Sequence, residues 1–232
     1  MNSTTGPRIY VASLSDYNNG ILHGAWIDAA QDADDIRTEV SAMLRESKYP
    51  NIQKRDHACL ECKHEWSSQV QYSDSTPAIS GEKSEQCPEC DSRSVMSSPI
   101  YSSAEEWAIH DFEGFEGAKI SEHESFDTVS ALADAIEEHG AAFAAWWGSE
   151  SRDDVDADSF LEAYRGEWDS LADYVENFWD DCGDFDADKI AGGNWWHPAM
   201  YVDWERMAHD LQTSGDIWTH EQDGKVYVFR NC

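Results

Sequence analysis

A chain of 232 residues, 41% hydrophobic and with 11 Trp, carries enough apolar side chain for one large domain or two to three small ones, which excludes a disordered acidic tail. Its formal net charge of -31, from 47 acids against 16 bases, argues against direct nucleic-acid binding, because DNA would be repelled. No run approaches the roughly 18 apolar residues of a membrane span, and MNSTTGPRIY lacks the features of a signal peptide, so a soluble cytoplasmic protein is expected.

In chain order, Ile9-Tyr10-Val11-Ala12 predicts a first strand, Asn18-Asn19-Gly20 a turn, and Ala25-Trp26-Ile27 a second strand. Residues 32–46 predict a helix. Ile36, Val40, Met43 and Leu44 recur at i, i+4, i+7 and i+8, and Asp32, Asp34 and Asp35 crowd the N-terminal end, where the helix dipole favours anions. The composition then changes over 57–99, through HACLECKHEW, a Ser-rich middle and CPECDSRSV. The apolar pattern resumes over 105–111 as a third strand, so 57–99 reads as an insertion in an otherwise continuous α+β unit.

From Ser125 the spacing is helical. Phe126, Val129, Leu132, Ala133 and Ile136 share one face, and Phe143, Trp146 and Trp147 belong to a second helix after Gly140. A third helix is expected near Asp158 as N-cap, with Phe160, Leu161 and Tyr164 inward, and a fourth over about 169–180. A helix over about 199–211 follows, and then strands at 216–219 and 225–229 joined through Gln222-Asp223-Gly224.

Six cysteines would fit three disulfides, but four of them form Cys59-x-x-Cys62 and Cys87-x-x-Cys90, two knuckles separated by 24 residues. In a reducing compartment that pattern favours metal. Four thiolates complete tetrahedral coordination of one Zn²⁺ per chain and leave no open position for substrate, so the expected role is structural. A redox dithiol needs no second copy at this spacing; iron held in rubredoxin fashion is the other metal reading. His57 and His64 then have no vacancy to fill and read as surface residues.

HExxH, GxGxxG, P-loop and GxSxG motifs are all absent, and no catalytic residue or enzyme activity is expected. Asp184-x-Asp186-x-Asp188 and Asp154-x-Asp156-x-Asp158 start like calcium loops, but neither has the glycine or the closing glutamate such a loop requires.

The charge itself is placed unevenly. Residues 1–56 carry net -2, 57–100 carry -4, 101–190 carry -22 and 191–232 carry -3, whereas a surface acidified throughout for solubility would spread evenly. On the fourth helix Leu171, Tyr174, Val175, Phe178 and Trp179 share one face, with Asp169, Asp173, Glu176 and Asp180 opposite. Like charges at this spacing cost about 0.2–0.5 kcal/mol per pair. Over 153–188 fourteen acids (Asp153, Asp154, Asp156, Asp158, Glu162, Glu167, Asp169, Asp173, Glu176, Asp180, Asp181, Asp184, Asp186 and Asp188) meet a single base, Arg165. Taken as one helix the span would be about 54 Å long, with a carboxylate every ~4 Å. One strand of B-DNA carries a phosphate every ~3.4 Å. Such a surface suits a protein groove built for phosphates.

Several separated pieces resemble the ArdA antirestriction family: RIYVASLSDYNNGILHGAWIDA with Tyr17, Gly20, Gly24 and Trp26 in place, EEWAIHDFEG at 105–114, FLEAYRGEWDSLADYVENF at 160–178, and YVDWERMAHDLQTSGDIWTHEQDGKVYVF at 201–229. The resemblance implies an elongated, three-domain, acidic homodimer that imitates duplex DNA and occupies the DNA-binding groove of type I restriction-modification enzymes. It implies an N-terminal α+β domain at 1–124, a small helical domain at 125–165 and a dimerising C-terminal domain at 166–232, with the acids of 153–188 as the central mimic surface. The inserted segment at 57–99 resembles a zinc ribbon and departs from the compact members. A different reading, a zinc-ribbon module binding nucleic acid or transcription proteins, lacks a basic patch: Lys63, Lys83 and Arg93 are scattered among seven acids.

Overall fold

Apolar residues alternate along Ile9 and Val11, and with their cross-strand partners Ile27 and Ile109 they form a buried face of the first sheet. The structure is a computed structural model that describes residues 6–73, 76–79, 86–149, 155–182 and 202–231. In that sheet β1 (Arg8–Ser13) lies between β2 (Gly24–Asp28) and β8 (Trp107–Glu113), both antiparallel to it. The three strands stand close to where the sequence places them. Between β1 and β2 the chain also forms a single helical turn, α1 (Leu14–Asn18), capped by the Ser13 hydroxyl. The sequence alone predicts only a turn there, because one helical turn is too short to show a period. Gly24 is required where it stands: a Cβ would lie 2.5 Å from the Val11 carbonyl oxygen and 2.8 Å from the Tyr10 ring.

α2 (Ala33–Arg45) buries Ile36, Val40, Met43 and Leu44, and the Asp32 carboxylate caps it by accepting from the Asp34 N–H. The chain leaving α2 is clamped by Asp16, a fully buried carboxylate. It accepts from the Ser47 hydroxyl at 2.6 Å and from the backbone N–H of Lys48 at 2.8 Å and Tyr49 at 3.2 Å. Burial alone would raise its pKa, but the hydrogen bonds from Ser47, Ser13 and Lys48 outweigh burial and hold it below the usual carboxylate value. Because the folded pKa is the lower one, its contribution is complete above about pH 4 and is lost as the pH falls through the folded value. Asp16→Ala should cost about 3 kcal/mol, since it strands buried donors. Urea unfolding at pH 7 and pH 3 should show that difference shrinking at the acid end.

The insertion is a five-stranded antiparallel sheet of β3 (Ile52–Cys59), β4 (Glu65–Ser73), β5 (Thr76–Ile79), β6 (Val95–Ser97) and β7 (Tyr101–Ser103), ordered β5-β4-β3-β6 with β7 also on β3. It reaches from Ile52 to Ser103, beyond the 57–99 segment that composition marks. Its root is stitched to α2. Arg45 lies over the Tyr101 ring at 4.3 Å and pairs with Asp56 at 2.6 Å, and the Ala104 N–H donates to the Leu44 carbonyl.

α3 (Phe126–Ser149) contains a non-helical residue, Gly140 at φ 62° and ψ -148°, so helical turns on either side of it match the two expected helices. The chain divides into two compact units, residues 1–114 with 120–134 and residues 115–119 with 135–232.

In the second unit α4 (Ala157–Ala163) leads directly into β9 (Tyr164–Trp168), then α5 (Leu171–Cys182), α6 (Trp204–Ser214), β10 (Ile217–Gln222) and β11 (Lys225–Arg230). The sheet order is β10-β11-β9, all antiparallel. Tyr174, Val175, Ala208, Ile217, Val226 and Val228 form one core, flanked by Trp168, Leu171, Trp204 and Met207. An aromatic group gathers around Phe160, whose ring centroid lies 5.0 Å from Phe143 and from Tyr164 and 5.7 Å from Trp146.

Four expectations are corrected here. The N-cap of α4 is Asp156, which accepts from the N–H groups of Asp158 and Ser159. Leu161, expected inward, is 55% exposed, and the buried residues of α4 are Phe160 and Ala163, three positions apart on one face. Tyr164–Trp168 is a strand, since Gly166 at φ +109° cannot continue a helix. Phe178, expected inward on α5, is 45% exposed. The C-terminal helix begins at Trp204 behind an Asp203 cap; the expected start at 199 lies outside the described residues. Asp223 and Gly224 both have positive φ, as a two-residue hairpin turn demands. Among the described residues no helix is long and apolar enough to cross a membrane.

Candidate metal centre and acidic surface

Two turns of identical design bring the four cysteines together. At the end of β3 the Cys59 N–H donates to the His64 carbonyl and the Lys63 N–H to the Cys59 carbonyl, with Lys63 at φ 67°. In the second turn the Cys87 N–H donates to the Ser92 carbonyl and the Asp91 N–H to the Cys87 carbonyl, with Asp91 at φ 59°. The Cys59 and Cys90 sulfurs are 3.6 Å apart, those of Cys62 and Cys87 3.5 Å, and all four lie within 4.8 Å of one another. A tetrahedron of sulfurs 2.3 Å from a central ion has edges of about 3.8 Å, so the cluster fits one ion with four thiolate ligands. Cys59 and Cys87 are buried and Cys62 and Cys90 exposed. The backbone N–H of Cys62 leads in lowering the Cys59 thiol to about 6. The Ser92 N–H pulls the Cys90 thiol down, but hydrogen bonds with the neighbouring thiols and burial outweigh it and push it to about 12.

His57 is not a surface residue. It is 5% exposed, and its two ring nitrogens sit 2.8 Å from the Ser97 and Ser68 hydroxyls. Burial first, and then the Arg55 charge, lower its pKa. His57 faces Trp66 across the β3–β4 pair and stacks on it at 5.1 Å, and the half-buried His64 stacks on the same ring at 5.8 Å. The four-sulfur cluster is formed without a histidine from this stack. A sequence cannot show the stack, because His57, Ser68, Trp66 and Ser97 meet only through strand register.

The acids divide by element. Asp158 and Glu162 lie exposed on α4, Asp173 and Glu176 exposed on α5, and Asp180 and Asp181 in the last turn of α5. Asp156 is occupied as the α4 cap, accepting from the Ser159 hydroxyl at 2.5 Å as well. Glu167 sits on β9, and Asp169 in the bend before α5 rather than on the helix. Asp153, Asp154, Asp184, Asp186 and Asp188 lie outside the described residues. The single-helix length of about 54 Å therefore does not hold: helix, strand and helix alternate, and the charge density is local to each. Lys225 is a neighbour of these acids that only the strand pairing reveals. Its ammonium is 2.8 Å from Asp169 and 3.5 Å from Glu167. The Lys225 hydrogen bond and charge hold the Asp169 carboxyl below its usual value and, reciprocally, raise the lysine.

A mixed α+β frame with small antiparallel sheets carries a four-cysteine cluster fit for a metal ion and, on its second unit, exposed carboxylates. The family model described as antirestriction protein (ArdA) matches residues 9–224. The chain belongs to the ArdA family, and membership assigns it an antirestriction function directed at restriction enzymes. No curated protein matches it.

Proposed function

We propose that the chain is a DNA mimic that blocks type I restriction-modification enzymes by occupying their DNA-binding groove. It acts without catalysis, as a cytoplasmic homodimer encoded on a mobile element that evades host defence. The observation that carries the reading is the set of exposed carboxylates Asp158, Glu162, Asp173 and Glu176, which pair with no cation among the described residues. A groove lined with Lys and Arg for phosphates would take up such carboxylates and release counterions as it does on binding DNA. Asp153, Asp154, Asp180, Asp181, Asp184, Asp186 and Asp188 would extend the same surface. In this reading 1–124, 125–165 and 166–232 are its three domains, the last dimerising. Cys59, Cys62, Cys87 and Cys90 hold one structural Zn²⁺ that braces the insertion, since a segment of that size has too little core to fold alone.

The test is competition. Adding the purified chain to a type I methyltransferase should displace a labelled target duplex, less effectively as salt rises. The chain alone should not shift the duplex. Unchanged enzyme–DNA affinity would sink the reading, and direct, salt-sensitive DNA binding by the chain would favour a nucleic-acid-binding ribbon instead.

A further inference from the structure

Two exposed acids of the second unit, Glu167 and Asp169, share one ammonium group, that of Lys225. We propose that Lys225 is a built-in brake on the acidic surface, bridging Glu167 and Asp169 so that neither carboxylate is presented as a phosphate. The inference rests on the reading of this surface as the contact with a phosphate-binding groove.

The bridge is fixed by sheet geometry rather than by chance contact of long side chains. β11 pairs antiparallel with β9 at Val226↔Trp168 and Tyr227↔Glu167. One step further in that register sets Lys225 opposite Asp169, and the diagonal neighbour is Glu167. Asp223-Gly224 is a two-residue turn that makes Lys225 the first residue of β11, paired with Gln222. The ammonium then lies 2.8 Å from Asp169 and 3.5 Å from Glu167. On either side in the chain, Glu162 and Asp173 have no such cation among the described residues. The acid run is thus divided at its middle by a group whose net charge is one unit rather than two. Exposed ion pairs add little to folding stability, and all three side chains here are well exposed. What the bridge changes is the field that a cationic partner meets.

Lys225→Gln releases two carboxylates while removing one charge. Lys119→Gln makes the same change in net charge at an exposed residue of the same unit and serves as the control. In displacement of labelled duplex from a type I methyltransferase, Lys225→Gln should bind about three- to tenfold more tightly at low salt. The slope of log affinity against log salt should steepen by roughly 1 to 2, about one per carboxylate released. Lys119→Gln should stay within about twofold of the unaltered chain. Binding of an oligolysine peptide provides the same comparison without any enzyme. Equal behaviour of the two variants, or weaker binding by Lys225→Gln, overturns the brake. If the unaltered chain never displaces DNA, the proposed function fails, and the oligolysine comparison still decides the role of Lys225.

Discussion

Replacing Cys87 with serine should strip the metal from the chain and unfold the inserted sheet while the β2-β1-β8 sheet persists. Cys87 is one of the two buried cysteines of the cluster, and its sulfur sits 3.5 Å from that of Cys62. A serine hydroxyl is a far poorer ligand for a borderline-soft cation than a thiolate. The insertion has few other means of support. Val70, His57, Cys59, Cys87 and Ser103 are its buried side chains among the described residues, and two of those five belong to the cysteine cluster. Structural zinc in small modules contributes about 10–16 kcal/mol of apparent binding free energy, more than a sheet with so little apolar burial supplies. The first sheet has its own core in Ile9, Val11, Ile27, Ile36 and Val40 and does not depend on the ion. Elemental analysis should find one zinc per chain and none in Cys87→Ser. Hydrogen exchange should show protection lost over 52–73 and 86–103 and retained in β1. A metal-free wild type with a protected insertion would refute the metal centre.

The parts legible in the sequence are those with local causes. Two CxxC knuckles announce the cluster because ligation needs sulfurs at a fixed chain spacing, and α2 announces itself through a four-residue stripe and an Asp cap. α4, β9 and the start of α5 were legible only in part. Phe160, Tyr164 and Trp168 fit a helical stripe as well as a strand, but Tyr164 already takes extended φ/ψ at the C-cap and Gly166 at φ +109° cannot resume the helix. Phe178 was misassigned for a related reason: an apolar residue at helical spacing is inward only if something covers it, and periodicity does not say what does. The Lys225 bridge and the His57–Trp66 stack were beyond reach, because each joins residues whose neighbourhood is created by strand pairing. A charge spacing computed for one continuous helix over 153–188 is not the spacing on the surface, because helix, strand and helix alternate between Ala157 and Cys182.

A fourfold neutralisation, Asp158→Asn, Glu162→Gln, Asp173→Asn and Glu176→Gln, should cost inhibition on the order of 10²-fold, and the salt slope of binding should fall by roughly 3 to 4 units. The fold should survive. Asp173 and Glu176 stand three residues apart on α5, so neutralising them removes a like-charge repulsion of about 0.2–0.5 kcal/mol. Against that, Asp173 lies in the first turn of α5, where a negative charge gains about 0.3–1 kcal/mol from the helix dipole. The two nearly cancel, so thermal unfolding of the variant should stay within a few degrees of the unaltered chain. This near-neutrality makes the variant informative, since lost inhibition cannot then be attributed to lost structure. The ordering among single changes should follow exposure and pairing. Glu162→Gln and Glu176→Gln, both exposed and unbridged among the described residues, should each weaken binding several-fold. Asp169→Asn should do little, because Lys225 already holds that carboxylate at 2.8 Å. If the quadruple variant inhibits as well as the unaltered chain, Asp158, Glu162, Asp173 and Glu176 are not the mimic. The other acids of 153–188, or carboxylates on α2 and α3 such as Asp35, Glu39, Asp134 and Glu137, would then have to carry it.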